Sequence, residues 1–148
     1  MKTETCRVDQ LDAMPNSGEF SYKEISILAS LMEHRWYEKG ELVFEEGTPA
    51  DFIATILEGS LELTREGRHI FPEPEDNIIG EKRAIGFDAL DPYPRNLTLR
   101  AIENVELLSL TNKQRQVLVE KHPRIAVKFY GIMLRLNSLQ LRYITGII

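Results

Sequence analysis

Hydrophobic positions change their period twice along the chain, and the changes divide it into three parts. Ile25, Leu28, Leu31 and Met32 follow helical spacing. Ahead of them Ser21-Tyr22-Lys23-Glu24 reads as a capping box, in which the Ser21 hydroxyl accepts from the Glu24 amide and the Glu24 carboxylate accepts from the Ser21 amide. Phe20 and Ile25 occupy the flanking staple positions, so a helix is expected over 22–34. From Leu42 onward the runs shorten and several alternate: 42–44, 52–57, 61–64, 68–71, 97–101 and 105–110. Turn signals separate them at Glu46-Gly47-Thr48-Pro49, Glu58-Gly59 and Glu66-Gly67. Many short strands with close turns predict a sandwich or barrel, jelly rolls included. Pro72, Pro74, Pro92 and Pro94 bracket a stretch, 78–90, without strand pattern; it reads as an insertion with a short helix inside 81–90.

Helical spacing returns at Thr111-Asn112-Lys113-Gln114, a second capping box. His122 precedes Pro123, which stops one helix and opens the next. In that last helix Ile125, Phe129, Ile132, Leu136, Leu139 and Tyr143 recur at alternating steps of four and three, the seam spacing of a coiled coil. Val127, Tyr130, Leu134 and Leu141 form a second apolar stripe. Two stripes predict that one face serves the body and the other a twin. A homodimer through the seam residues is expected.

Composition narrows the class. The 148 residues are 43% hydrophobic and 28% charged, which suits one soluble globular domain and excludes disorder or a collagen-like repeat. The lone cysteine, Cys6, forms no internal disulfide and reads as a bystander in a frayed N-terminus; a cytoplasmic protein is expected. No apolar run is long enough to span a bilayer. The net charge of −5 hides an asymmetry: residues 111–148 carry seven bases against one acid, Glu120, while the first 110 carry a net −11. A basic helix packed on an acidic body accounts for this without nucleic acid, and no helix-turn-helix follows the last periodic segment. His34, His69 and His122 are too far apart for a metal pair and read as surface or capping residues. No nucleophile motif or phosphate-loop lysine is present, so an enzyme is not expected.

The order of elements and several motifs resemble the cyclic-nucleotide-binding domain family, as found in catabolite-activator-like sensors without their DNA-binding domain. Residues 35–47, with Tyr37, Gly40-Glu41-Leu42, Phe44 and Gly47, are similar to its early strands, and 51–59 looks like its strand entering a tight glycine turn. Ile79-Gly80-Glu81 resembles the opening of its phosphate-binding cassette, and 94–101, beginning Pro94-Arg95-Asn96, resembles the cassette's end. Two features depart from the pattern. Lys82-Arg83-Ala84 stand where small apolar residues such as Leu-Ala-Leu are usual, and 13 residues separate Glu81 from Arg95.

The resemblance implies a mainly β fold: a double-stranded β-helix, or jelly roll, with an N-terminal helix and two C-terminal helices. One domain over 1–148 is expected, with an extension at 1–19, a helix within 20–36, a β-roll over 37–110 holding the cassette-like insertion 78–96, and helices over 111–148. It implies a cyclic nucleotide ligand, cAMP or cGMP, with Gly80, Glu81, Lys82, Arg95, Asn96 and Thr98 as binding residues. Arg95 would fork onto the phosphate, Glu81 would accept from the ribose 2′-hydroxyl, and Arg135, Asn137 and Ser138 are candidates for base contacts. Arg95 has a structural alternative, an ion pair with Asp88, Asp91 or Glu81 that pins the insertion. The implied function is a regulatory sensor signalling through its C-terminal dimer helix. The alternatives are a ligand-free β-roll acting as an interaction module, or a fragment of a transcription regulator.

Overall fold

Helix α1 (Tyr22–Leu31) begins at the predicted capping box, with both reciprocal hydrogen bonds formed. It ends three residues short of expectation because Glu33–Tyr37 is strand β2, pairing on one side with an N-terminal strand β1 (Lys2–Thr5). The computed structural model describes residues 1–90 and 93–145, with side chains up to Ser138. Beyond β2 come β3 (Leu42–Phe44), β4 (Phe52–Glu58) and β5 (Leu61–Thr64). The insertion supplies two short strands, β6 (Ile78–Ile79) and β7 (Ala84–Ile85), before β8 (Thr98–Ala101) and β9 (Val105–Thr111). Helices α2 (Asn112–Lys121) and α3 (Pro123–Thr145) close the order.

The strands form two antiparallel sheets, ordered β1-β2-β9-β4-β7 and β3-β8-β5-β6, the jelly-roll arrangement that the sequence predicts. Strand 68–71 does not form: Arg65 and Arg68 bridge across the Glu66-Gly67 turn, and the Asn77 side chain holds the amides of Ile70 and Phe71. One side of β4 and β9 (Phe52, Ala54, Ile56, Val105, Leu107) packs on the second sheet. Their other side (Ile53, Leu108, Leu110) packs under the helices. Strands covered on both faces read as continuous apolar runs rather than clean alternation.

The last helix corrects an expectation. Ile125, Phe129, Ile132 and Leu136 are all buried, packed in the same cluster as Leu28 of α1, Leu118 of α2 and Leu11 of the N-terminal segment. The seam is therefore used inside the domain and is covered before a second copy could reach it; the side chains of Leu139 and Tyr143 lie outside the described residues. The opposite face carries Val127 and Leu134, 72% and 67% exposed. Val127→Glu should then change the unfolding free energy by less than about 0.5 kcal/mol, as checked by urea denaturation. Basic residues of α3 pair with acids near and within α1, Lys128 with Glu24 at 2.7 Å and Arg135 with Glu19 at 2.6 Å. The Lys128 hydrogen bond holds the Glu24 carboxyl below its ordinary range.

Two further expectations change. His34 is not a surface residue: it is buried, its ring stacks on Trp36, and its Nδ1 lies 2.8 Å from Glu106 Oε1. Nor is Cys6 in a frayed end, because β1 is held against β2 and the Cys6 amide donates to the Met32 carbonyl. Burial pushes the Cys6 thiol up to about 11, with Asp9 adding to the effect. Alkylation of the native protein near pH 8 should consequently be ~100-fold slower than for an ordinary thiol, and ordinary speed should return on unfolding.

Candidate functional site

Between the inner face of the second sheet and the segment that follows β7 lies a cavity of about 430 Å³. Phe44, Leu63, Ile79 and Leu99 supply its apolar wall, and Gly86, Phe87, Asp88 and Asn96 supply the rim. The rim is made by a sharp turn at Gly86, whose φ of +87° favours glycine, followed by a short 3₁₀ turn, Phe87–Leu90. A Cβ at position 86 would stand 2.7 Å from the Phe52 carbonyl oxygen and 3.0 Å from Arg95 Nη1. Glycine is needed there for space as well as for conformation.

Directly behind this rim lies Arg95, 2% exposed. Its Nη2 donates to the Phe52 carbonyl at 2.7 Å, and its Nη1 donates to the Gly86 carbonyl at 3.0 Å and to Asp88 Oδ1 at 2.7 Å. The guanidinium faces the rings of Phe44 and Phe52, 4.1 and 4.9 Å from their centroids. Asp51 Oδ1 lies 4.0 Å from Nη2, and Nε has no acceptor among the described residues. The backbone is fixed too: the Arg95 amide donates to Thr48, and its carbonyl accepts from Gly47. A buried cation needs partners of this kind, and the pairing expected as the structural alternative is present, with Asp88 as the acid.

The other expected residues separate into two places. Asn96 is on the cavity rim, and its amide donates to Asp88 Oδ2 at 2.9 Å. Thr98 begins β8, where its hydroxyl accepts from the Glu46 amide and braces the loop after β3. Gly80, Glu81 and Lys82 belong elsewhere: Glu81 and Lys82 form an exposed turn between β6 and β7, with Lys82 at φ +64°. The Lys82 amide and the Arg83 carbonyl extend pairing along Ile56 of β4, so this turn completes a sheet edge. None of the three lines the cavity. The glycine beside Arg95 is Gly86, and Ala89-Leu90 after it are the small apolar residues that the resemblance leads one to expect after Gly80-Glu81. The glycine-to-arginine spacing was the available signal: eight residues separate Gly86 from Arg95. Arg135 and Ser138 are exposed on α3.

A second hollow, about 580 Å³, opens at the β2–β9 end and is lined by Lys2, Trp36 and four glutamates, Glu38, Glu41, Glu58 and Glu106. Its acids disfavour an anion. Among the described residues no group of three or more His, Cys, Asp or Glu is placed to hold a metal ion, and no helix is long and apolar enough to cross a membrane.

Comparison with known proteins agrees with this fold. A candidate potassium channel protein of Rhodopseudomonas palustris is 30% identical over 123 residues, which is 81% of this chain and 29% of that protein. A CRP-like cAMP-activated global transcriptional regulator of Mycobacterium tuberculosis is 24% identical over 131 residues, 84% of this chain and 57% of the regulator. The chain thus spans less than two thirds of either relative. The crystal structure of a cyclic nucleotide-binding domain from Methylobacillus flagellatus superposes with a TM-score of 0.82 at 19% identity, over 99% of this chain and 86% of that one, which shows a shared fold. The model of the cyclic nucleotide-binding domain matches residues 34–122, from the buried His34 through the roll and its 78–96 insertion to the end of α2, and the chain belongs to that family.

Proposed function

We propose that this domain is a regulatory sensor that binds a cyclic nucleotide, cAMP or cGMP, in the cavity beside Gly86 and relays occupancy through its C-terminal helix. One observation carries the reading: an apolar cavity of about 430 Å³ with the Asn96 amide on its rim and the Arg95 guanidinium just behind. The volume lies within the range of small-ligand sites, the apolar wall suits a base, and the two donors suit a phosphodiester. Arg95, Asn96 and the Gly86 turn are the phosphate side of the proposal, with Thr98 bracing the loop whose Gly47 and Thr48 hold the Arg95 backbone. The resemblance assigned the ribose contact to Glu81, but its exposed turn keeps it out of the cavity, so the ribose hydroxyl is left to other groups.

A relay is supported by Arg115 of α2. Its Nη2 donates to the Ala89 carbonyl of the 3₁₀ turn at 3.3 Å, and its Nη1 lies 3.4 Å from the Tyr130 hydroxyl on α3. Ala89 itself packs in the cluster that holds Phe129 and Ile132. A shift of the 3₁₀ turn thus meets α3 through both contacts, and a ligand biases α3 by no more than its differential affinity for the two arrangements.

Calorimetric titration with cAMP, cGMP and a cyclic dinucleotide tests the reading. A saturable heat with one of them at micromolar concentration is expected. Absence of binding by the folded protein at millimolar concentration of all three would overturn it. A second reading, a ligand-free interaction module, is favoured by one observation: the Arg95 guanidinium already has its acceptors.

A further inference from the structure

The donors that suit a ligand's phosphate are engaged by a side chain of the protein itself. Asp88 Oδ1 accepts from Arg95 Nη1 at 2.7 Å, and Asp88 Oδ2 accepts from the Asn96 amide at 2.9 Å. One carboxylate thus bridges a guanidinium and a backbone amide, as two oxygens of a phosphodiester would. Asp88 lines the cavity and its side chain is 25% exposed, whereas the Arg95 side chain is 0% exposed. An anion entering the cavity therefore meets the charges of its lining, Asp88 and Arg65, before it meets Arg95.

We propose that Asp88 is the resident anion of this site, and that a cyclic nucleotide gains the Arg95 and Asn96 donors only by displacing the Asp88 carboxylate. This rests on the cyclic-nucleotide reading above and deepens it. The displacement is local. Asp88 sits on a four-residue 3₁₀ turn, and its side chain is already part-way into solvent, so a rotation about χ1 releases both oxygens to water. Arg95 keeps its place meanwhile, because the Phe52 and Gly86 carbonyls and the faces of Phe44 and Phe52 still hold it. Asp51, 4.0 Å from Nη2, remains as a nearby countercharge. The consequence is selectivity: a bare anion exchanges one charge-assisted contact for another and gains little. A ligand that also buries a base against Leu63, Leu99 and Phe44 gains the difference.

The test compares wild type with Asp88→Asn and Asp88→Ser in the full chain, each checked for native circular dichroism. For cAMP or cGMP, whichever binds wild type, both variants are expected to bind at least ten-fold tighter. The gain should vanish when Arg95→Lys is added, since an ammonium lacks the fork. Equal or weaker binding in both variants overturns the proposal and leaves the nucleotide reading intact. Inorganic phosphate supplies a probe independent of nucleotide, followed by the amide resonance of Asn96. A saturable shift in the Asp88 variants and none in wild type supports the resident anion even if no nucleotide binds. A phosphate shift of equal midpoint in wild type and variants, or in none of them, overturns it. Should both variants fail to fold, the carboxyl carbon resonance of Asp88 in wild type decides: it should move when cAMP or cGMP saturates the protein, and an unmoved resonance at saturation overturns the displacement.

Discussion

Arg95→Ala is expected to destabilise the domain by about 3–5 kcal/mol, the usual cost of removing one partner from a buried ion pair. The substitution leaves three acceptors behind the rim: the Phe52 carbonyl, the Gly86 carbonyl and Asp88 Oδ1. It also empties the space between the Phe44 and Phe52 rings that the guanidinium fills. Asp88 is partly exposed and can turn to water, which places the loss toward the lower end of that range. For a chain of this length the loss corresponds to a drop in Tm of roughly 6–20 °C. Arg95→Lys should recover only part, because an ammonium on a thinner stem neither reaches two carbonyls and a carboxylate at once nor stacks as a plane. Urea denaturation checks both variants. A loss under about 1 kcal/mol would mean that Arg95 does not hold the rim, and its burial would then need another cause. The same variant should abolish nucleotide binding in calorimetry, so stability and affinity fall together. Asp88→Asn separates them, with affinity rising while some stability is lost.

How far the sequence reaches is clearest from particular residues. Ser21 and Thr111 announce their helices because a cap is a local interaction: in each the hydroxyl accepts from the amide three residues on. The β-roll is legible because short apolar runs and glycine turns alternate over 60 residues or so, and six expected runs contain five real strands. Strand β1 is not legible, since Lys2-Thr3-Glu4-Thr5 is exposed at a sheet edge and carries no apolar alternation. The first two residues of strand β2, Glu33 and His34, fall inside the expected helix because no helix-stop residue precedes them, whereas 35–37 belong to the stretch that resembles the early strands. In α3 the seven-residue pattern identifies a buried face, but period alone does not say what covers it. Leu11, Leu28 and Leu118 do, from three distant parts of the chain. Arg95 and its pairing with an acid are both readable, yet the choice among Asp88, Asp91 and Glu81 depends on the turn at Gly86. Gly80-Glu81 stands out in the sequence as a dipeptide. Gly86 has no such neighbour and reveals itself only through the closeness of Phe52 in space.

That closeness makes Gly86→Ala the second large effect. Two costs combine at this position. A residue with a Cβ in left-handed backbone costs of order 1–3 kcal/mol, and φ at Gly86 is +87°. The added Cβ would also stand 2.7 Å from the Phe52 carbonyl, the same oxygen that accepts from Arg95 Nη2, and 3.0 Å from Arg95 Nη1. Backbone on one side and a pinned guanidinium on the other leave little room to yield, so a total near 3–5 kcal/mol is expected. Gly40→Ala separates the two costs. Its φ is +91°, yet nothing lies within 4 Å of the Cβ it would carry, so it should lose only the conformational part, about 1–2 kcal/mol. The difference between the two variants in urea denaturation measures the crowding around Arg95. Combining Gly86→Ala with Arg95→Ala should cost less than the two losses added, because the second change removes one of the groups that the new methyl strikes. Simple additivity would show that the Gly86 turn and Arg95 are independent. The cavity rim would then be set by backbone conformation alone rather than by the glycine's fit against the buried guanidinium.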